Sequence, residues 1–288
     1  MAYRPHASLD TPADDAVLWR YLDFAKFVDL LASKSLWLCR VDRLDDPREG
    51  LFTDTEFVQL SQNSQPVAGI EGLRSLSYVN CWCQTDCESM AMWDLYGAGA
   101  RGVAIKATVG SLKTAIAGAK LPIHVGCVKY LDWKLDEEEI NPIAMCVRKA
   151  ESYRHECEVR LLFWKPYTEK VLVAAVQASQ CAPIDVERFA REIMARLAGF
   201  IPSADFTGVH GGSLVAWAIA QYQERLRLRN SPAGVHLEVD LPTLISEIVV
   251  GPKAQPWILE LARSVVHRYD LGVTVRSSDL TPPIRQRE

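Results

Sequence analysis

Long apolar runs are missing from this 288-residue sequence, and no stretch approaches the roughly 18 residues that a membrane-spanning helix needs. The amino-terminal stretch MAYRPHASLDTPADD also lacks the apolar core of a secretory signal. We therefore expect a cytoplasmic protein that has no membrane partner.

An excess of positive charge is missing as well, because 32 Lys and Arg residues face 36 Asp and Glu residues and give a net charge of -4. Broad electrostatic binding to nucleic acid depends on many cationic side chains that neutralise phosphates. The composition argues against binding of that kind and leaves only a local basic groove as an alternative.

Several well-known catalytic and metal-binding patterns are absent. The sequence has no HExxH, no Gly-x-Ser-x-Gly and no GxxxxGK[ST] phosphate loop. Cys81, Cys83 and Cys87 lie close together, but they lack paired Cys-x-x-Cys knuckles and a His partner. Since Cys81 and Cys83 share one face of a predicted strand, we interpret them as buried free thiols.

The composition is ordinary for a globular protein, with 49% hydrophobic and 24% charged residues. Predicted strands and helices alternate irregularly and lack the βαβ rhythm of doubly wound folds, so we predict an α+β fold with a mixed or antiparallel central sheet and flanking helices. The length suits one core domain with an insertion. We assign residues 1–165 and 233–288 to the core and residues 166–232 to a helical insertion or lid.

Apolar patterns predict the positions of the secondary-structure elements, and the run that begins at Glu158 gives the strongest strand signal. The predicted strands cover 18–22, 36–41, 75–84, 102–106, 125–130, 158–164, 235–239, 247–250 and 273–276. Helices are predicted after the expected N-caps Asp23 and Asp86, and at 111–117, 141–154, 242–246 and 255–269.

The segment Tyr-Arg-His-Glu-Cys-Glu-Val-Arg, which enters the strongest predicted strand, is the main candidate site. If it is extended, Glu156, Glu158 and Arg160 project from one face, and His155 and Cys157 project inward from the other. That separation disfavours a Cys-His nucleophilic pair. A structural alternative remains, in which the glutamates pair with cations of a neighbouring strand and Arg160 is an internal ion-pair partner.

Four blocks of sequence are similar in order and residue pattern to those of a known bacterial family. They are Trp19-Arg20-Tyr21 with its helix, Leu36-Trp37 through Asp45-Asp46-Pro47 to Glu49-Gly50, Met92-Trp93 to Tyr96 with Gly102-Val103-Ala104-Ile105, and Glu156-x-Glu158-x-Arg160. In these blocks the chain resembles the domain-of-unknown-function family 2971 over most of its length, except at about 166–232. The resemblance implies a coherent fold more than a function.

A second resemblance concerns Arg20, the strand SLSYVNCW and the segment ECEVRLLF, which occur in this order. The order is similar to that of several ADP-ribosyltransferases, in which an Arg or His of the first strand grips NAD and Glu-x-Glu enters a buried strand. The usual Ser-Thr-Ser is absent, and Ser75-Leu76-Ser77 only approximates it. The resemblance implies an ADP-ribosyltransferase-like fold, NAD as the substrate, and Glu158 and Glu156 as the catalytic residues.

Cleavage of NAD develops positive charge on the ribose as nicotinamide leaves, so a fixed carboxylate near that sugar stabilises the transition state. The resemblance implies this function for Glu158, while Glu156 orients the acceptor or takes its proton. Arg20 is expected to hold the pyrophosphate through bidentate hydrogen bonds, and the alternative is an ion pair with Glu158 or Asp46. Tyr21 and Trp82 are candidates for stacking on a ring of NAD, with a core position as the alternative.

The other candidate residues belong to the expected pocket wall. We predict that Arg40 contributes to cofactor binding, and that further pocket residues are Asp46, Glu49, Tyr96 and Arg160. The implied acceptor is an unidentified macromolecule, either protein or nucleic acid, and the implied biological context is a toxin or a phage-defence effector. No metal is expected, and an oligomer is compatible with the sequence.

Two other functions remain open at this point. Asp45, Asp46 and Glu49 are hard-cation ligands, which would suit a metal-dependent nuclease or phosphohydrolase. Asp side chains that bind their own backbone would explain the same loop without a metal. The second alternative is a non-catalytic binding module whose insertion at 166–232 recognises a partner.

Overall fold

The protein is described by a computed structural model that covers residues 2–56, 74, 76–136, 142–164 and 233–281. The helical insertion predicted at 166–232 lies outside these residues. In the described part of the chain, no helix is both long and apolar enough to cross a membrane.

The described residues contain eleven named strands. They are β1 (Val17–Asp23), β2 (Ser35–Arg40), β3 (Ser77–Gln84), β4 (Gly102–Thr108), β5 (His124–Cys127), β6 (Lys129–Leu131), β7 (Arg148–Ala150), β8 (Glu158–Trp164), β9 (Gly234–Glu238), β10 (Glu247–Val250) and β11 (Thr274–Ser277). The helices are α1 (Phe24–Ser33), α2 (Met90–Tyr96), α3 (Val109–Ala115), α4 (Pro142–Met145), α5 (Leu241–Leu244) and α6 (Pro256–Arg268).

Nine of these strands form one mixed sheet. The order β11-β10-β4-β1-β3-β2-β9 forms its main path, and β8 and β5 extend from β3. All of its pairings are antiparallel except β10 with β11. The α+β class and the mixed, mostly antiparallel sheet predicted from the sequence are therefore confirmed. Strands from both ends of the chain take part in this sheet.

The main hydrophobic core lies where α1 packs on the sheet. Phe27 and Leu31 of α1 belong to the same buried cluster as Leu18 of β1, Val159 of β8 and Trp82 of β3. The helix begins where predicted, because the Asp23 side chain accepts a hydrogen bond of 2.8 Å from the backbone N–H of Lys26. Alternation along β8 directs Val159 into this core and leaves its neighbours on either side to face the opposite side of the sheet.

The buried carboxylate of Glu88 connects β11, the last described strand, to α2. Glu88 accepts hydrogen bonds from Trp93 Nε1 at 3.0 Å, from Arg276 Nη1 at 3.1 Å and from the backbone of Asp279 at 3.0 Å, and it also contacts the hydroxyl of Ser278. These bonds outweigh burial and hold the pKa of Glu88 below its ordinary value. The charge of Glu88 thus links β11 to α2.

The prediction of a single helix at 141–154 is wrong. Its described part consists of α4, the short strand β7 and a 3-10 segment at Glu151–Glu156. Residues of β7 pair in parallel with β6 and bury the side chains of Arg148 and Lys149. These tertiary contacts outweigh the local helical pattern.

Two smaller predictions also need correction. Ser89, rather than Asp86, is the N-cap of α2, because its hydroxyl accepts from the backbone N–H of Met92. The strand predicted at 125–130 is divided in two at Val128. Its first part pairs with β8 and its second part turns away to pair with β7.

Candidate active site

The candidate site lies at a split in the central sheet. One edge of β3 pairs with β8 along Ser77–Cys83, while the other edge is shared by β2 near Val79 and by β1 near Cys83. No described strand pairs with that second edge at Asn80–Trp82, which we call the open stretch of β3. Because β1 and β2 diverge there, polar side chains can reach the backbone of β3.

A cavity of about 750 Å³ opens at this split. Pockets that bind small molecules and cofactors commonly have volumes of about 300–1,000 Å³. The structure brings together nearly all of the residues that the sequence singled out. Those that line the cavity are Arg20, Tyr21, Asp45, Asp46, Glu49, Trp82, Tyr96, Glu156, Glu158 and Arg160.

Glu158 and Arg160 form a bidentate ion pair on the cavity wall. Arg160 Nε and Nη2 donate to Glu158 Oε1 and Oε2, both at 2.8 Å, and Nη1 donates to the carbonyl oxygen of Cys146 at 2.8 Å. Only 6% of Glu158 is exposed. Its carboxylate is therefore fixed in orientation, and Arg160 is an internal ion-pair partner, as the structural alternative predicted.

Glu156 is held by a different set of partners. Tyr96 Oη donates to Glu156 Oε1 at 2.7 Å, and Lys149 Nζ donates to Oε2 at 2.5 Å. Lys149 comes from β7 and also lies 3.5 Å from Glu49 Oε1 and 3.6 Å from Glu158 Oε2. Lys149 is therefore the central cation of a charged cluster formed by Glu49, Glu156, Glu158, Lys149 and Arg160. Lys149 was not among the predicted site residues, because the local sequence pattern predicts a helix at this position.

The cluster as a whole has more carboxylates than cations. The carboxylates of Glu49, Glu156 and Glu158 face the two cations Lys149 and Arg160. Arg160 Nη2 also makes an ion-pair contact with Glu49 Oε2, outside hydrogen-bond geometry. When Glu49 is ionised, three carboxylates against two cations leave one negative charge, and the cluster then favours a cationic group or a group that becomes cationic.

The pKa values explain which groups are charged. Burial opposes ionisation of Glu158, but the charge of Arg160, its hydrogen bonds and Lys149 outweigh burial and hold the pKa of Glu158 below its ordinary value. Burial also opposes the charge of Lys149, yet the surrounding carboxylates raise its pKa. Burial and the charge of Glu158 raise the pKa of Glu49, although the two cations oppose this. Glu158 is thus ionised at neutral pH, and Lys149 is protonated rather than a nucleophile.

Arg20 lies on the other side of the split and has no ion pair with any carboxylate in the described part of the chain. Its Nη1 donates to the carbonyl oxygen of Cys81 at 2.9 Å, and its guanidinium lies 6.0 Å from the centroid of the Trp82 ring. It does not pair with Glu158 or Asp46, which were its alternative partners. The remaining donors of this half-buried guanidinium are available to an anion in the cavity.

The two predicted stacking residues are built into the protein interior. Trp82 is 1% exposed and donates through Nε1 to Asn80 Oδ1 at 2.8 Å, so it has the core position that was its alternative. The hydroxyl of Tyr21 accepts from the backbone N–H of Ser89 at 3.0 Å, and its ring packs edge-on against Trp93 at 4.9 Å. Burial raises the pKa of Tyr21, which keeps its hydroxyl neutral.

At the end of β2 and in the loop after it, Glu49 joins the cluster, whereas Arg40 and Asp46 are held by local contacts. Arg40 does not line the cavity, because its buried guanidinium pairs with Asp42 at 2.6 Å. Asp46 Oδ1 accepts a hydrogen bond from the backbone N–H of Arg48 at 2.9 Å. This is the kind of bond between an Asp side chain and its own loop that the alternative without a metal predicted. Among the described residues, no group of three or more His, Cys, Asp or Glu side chains is arranged to hold a metal ion.

His155 and Cys157 were expected to point inward, and this prediction is wrong. Both are exposed, because the 3-10 segment ends at Cys157 with a φ of 43° and the chain is not extended before Glu158. Cys81, by contrast, lines the cavity and lies opposite Arg160 in the β3–β8 register. Burial and the charge of Glu158 raise the pKa of Cys81 well above its ordinary value, so its thiol is neutral there.

Comparisons with known proteins assign no family to this chain. No protein-family model and no curated protein matches the sequence, so the resemblance to family 2971 stays a prediction. Among solved structures, Thermus sp. 2.9 DarT in complex with ADP-ribosylated ssDNA is similar, with a TM-score of 0.33 and 11% sequence identity over 94% of this chain and 96% of that chain. This likeness is too distant to assign a ligand, an activity or the role of any residue.

Proposed function

We propose that the chain binds NAD in the cavity, cleaves the bond between nicotinamide and ribose, and transfers ADP-ribose to a macromolecular acceptor. The observation that carries the proposal is the division of charge across the split. A cluster with more carboxylates than cations lies on one side, and Arg20, a cation without a carboxylate partner in the described residues, lies on the other. NAD has matching parts, namely a cationic nicotinamide ribosyl group and an anionic pyrophosphate.

The two sides of the split are close enough to act on one molecule. Arg20 Nη1 donates to the carbonyl oxygen of Cys81, and Cys81 lies opposite Arg160, the ion-pair partner of Glu158, in the β3–β8 register. The anion-binding group and the catalytic carboxylate therefore line the same cavity. A dinucleotide that bridges them brings its ribose to the carboxylates while Arg20 holds its pyrophosphate.

The reaction needs little from the protein besides placement and charge. The bond between ribose C1′ and nicotinamide N1 breaks, and its electron pair leaves with nicotinamide, which becomes neutral. Positive charge grows on the ribose, where the fixed and ionised Glu158 stabilises it. The acceptor atom then bonds to C1′ and gives its proton to Glu156, whose oxygen is oriented by Tyr96.

A direct test measures nicotinamide release from NAD by the purified full-length chain, alone and with cell lysate. We expect release, and we expect label from adenine-labelled NAD to appear on a macromolecule. Digesting the labelled fraction separately with protease and nuclease identifies the acceptor as protein or nucleic acid. No release and no label under either condition would refute the proposal.

Arg20 provides a prediction about binding. Arg20→Gln should weaken NAD binding by about 10- to 100-fold, because hydrogen bonds between charged groups contribute about 1.5–3 kcal/mol. The rate at saturating NAD should change less than KM, since Arg20 holds a part of the substrate that does not react. Equilibrium binding and steady-state kinetics measure the two effects.

The matched control for Arg20 is Arg43→Gln, which removes an exposed arginine that does not line the cavity. This control should bind NAD like the wild type. Equal affinities for the Arg20 and Arg43 variants would show that Arg20 does not hold the pyrophosphate.

A further inference from the structure

Two aromatic side chains that are not among the predicted site residues lie in the same cavity. Trp37 of β2 and His236 of β9 are directly opposite each other in the antiparallel register. Their ring centroids are 4.9 Å apart at an interplanar angle of 67°, and both residues line the cavity. Such edge-to-face pairs are favourable beyond the area that they bury.

This pair is held in place from several directions. A Cβ at Gly234 would lie 2.6 Å from two atoms of the Trp37 indole, so the indole packs directly on the glycine backbone. The Ser35 hydroxyl lies 2.7 Å from Nδ1 of His236, and Asn80 donates to the carbonyl oxygen of Trp37 at 2.8 Å. The two rings therefore form a preorganised surface, which we call the aromatic platform.

The aromatic platform is nevertheless open. Trp37 remains 38% exposed although its neighbours Leu36 and Leu38 are fully buried. Tryptophan combines a large apolar area with few rotatable bonds, so covering its face with a flat ring stabilises a complex without ordering many groups. Nucleobases are such rings, and each one that stacks on an aromatic side chain contributes about 1–3 kcal/mol.

The order of contacts along β3 identifies the occupant. Asn80 binds the backbone of Trp37, Cys81 binds Arg20, and Cys83 pairs in register with Glu158. An aromatic surface, an anion-binding group and a carboxylate thus follow one another along the open stretch of β3 and its end. NAD presents an adenine, a pyrophosphate and a nicotinamide ribosyl group in the same order.

We propose that Trp37 and His236 bind the adenine base of the nucleotide whose pyrophosphate lies on Arg20. This inference rests on the proposed function and adds the part of the cavity that distinguishes a dinucleotide from a nicotinamide mononucleotide. Stacking on Trp37 supplies affinity, and His236 fixes the angle of the indole. The aromatic platform takes no part in the chemical step.

The test compares two ligands and three variants of the full chain by equilibrium binding. ADP-ribose contains adenine, whereas nicotinamide mononucleotide does not. Trp37→Ala should weaken ADP-ribose binding by about 5- to 100-fold and leave the affinity for the mononucleotide unchanged. Trp37→Phe should retain most of the affinity because it keeps a stacking ring.

The matched control is Trp257→Ala, which removes an exposed tryptophan of α6 that does not line the cavity. It should bind both ligands like the wild type. Unchanged ADP-ribose affinity in Trp37→Ala would overturn the inference, and so would equal losses for both ligands. Loss of single-stranded oligonucleotide binding with unchanged ADP-ribose binding would assign the platform to an acceptor base and would also overturn it.

The outcomes separate this inference from the proposed function. Adenine-dependent loss in Trp37→Ala without any release of nicotinamide by the wild type supports the platform and refutes the transferase. Nicotinamide release with an unchanged KM for NAD in Trp37→Ala supports the transferase and refutes the platform.

Discussion

Glu158→Gln lowers the rate of nicotinamide release by about 100- to 1,000-fold and leaves NAD bound, which is the effect expected when one preorganised electrostatic group is lost at a reacting centre. Gln has nearly the same shape as Glu, so the substitution removes the negative charge and little else. Because ion pairing holds the pKa of Glu158 below its ordinary value, the wild-type group is charged at neutral pH. Single-turnover kinetics with saturating NAD measure the chemical step.

Loss of the ion pair with Arg160 also lowers stability, so this experiment needs a control of the same kind. Glu88→Gln provides it, because Glu88 is another buried carboxylate that binds an arginine, and it does not line the cavity. Both variants should unfold at a lower denaturant concentration than the wild type, but Glu88→Gln should keep its rate. A rate that falls equally in the two variants would mean that Glu158 acts only through stability.

Arg148→Met lowers the free energy of unfolding by about 3–5 kcal/mol, the usual result when one partner of a buried ion pair is removed. Arg148 is 2% exposed and Glu56 is 1% exposed, and Arg148 Nη1 lies 3.0 Å from Glu56 Oε1 and 3.3 Å from Oε2. Met has a similar length but leaves the carboxylate of Glu56 without this charge partner. Denaturant-induced unfolding followed by circular dichroism measures the change.

The control for Arg148 is Arg154→Met, in which the lost ion pair with Glu151 lies on the surface. Water and mobile ions screen such a pair, so this variant should unfold almost like the wild type. A midpoint for Arg148→Met that matches the Arg154 control would show that the buried pair does not stabilise the fold.

The sequence predicted most strands because their side chains alternate or are continuously apolar. β8 is the clearest case, since Glu158 to Phe163 are all buried. β7 could not be predicted in this way, because it has only three residues and forms through its pairing with β6. Local periodicity carries no information about such a distant partner.

The candidate site was predicted in part for similar reasons. Strand alternation correctly grouped Glu158 with Arg160, although the chain turns at Cys157 and Glu156 reaches the cavity from a 3-10 segment. Trp37 and His236 were missed because only the β2–β9 register brings them together. Each residue is ordinary in its own segment.

Cys81 lies between Arg20 and Glu158, and a substitution at this position would affect the two residues differently. Arg20 binds the main-chain carbonyl oxygen at this position, an acceptor that every amino acid provides. The side chain at this position instead lies opposite Arg160, the ion-pair partner of Glu158, and depends on which residue is present. A substitution at position 81 would therefore change the surroundings of the carboxylate while the anchor of the arginine stays the same. The two sides meet at a single residue, yet selection can adjust one without disturbing the other.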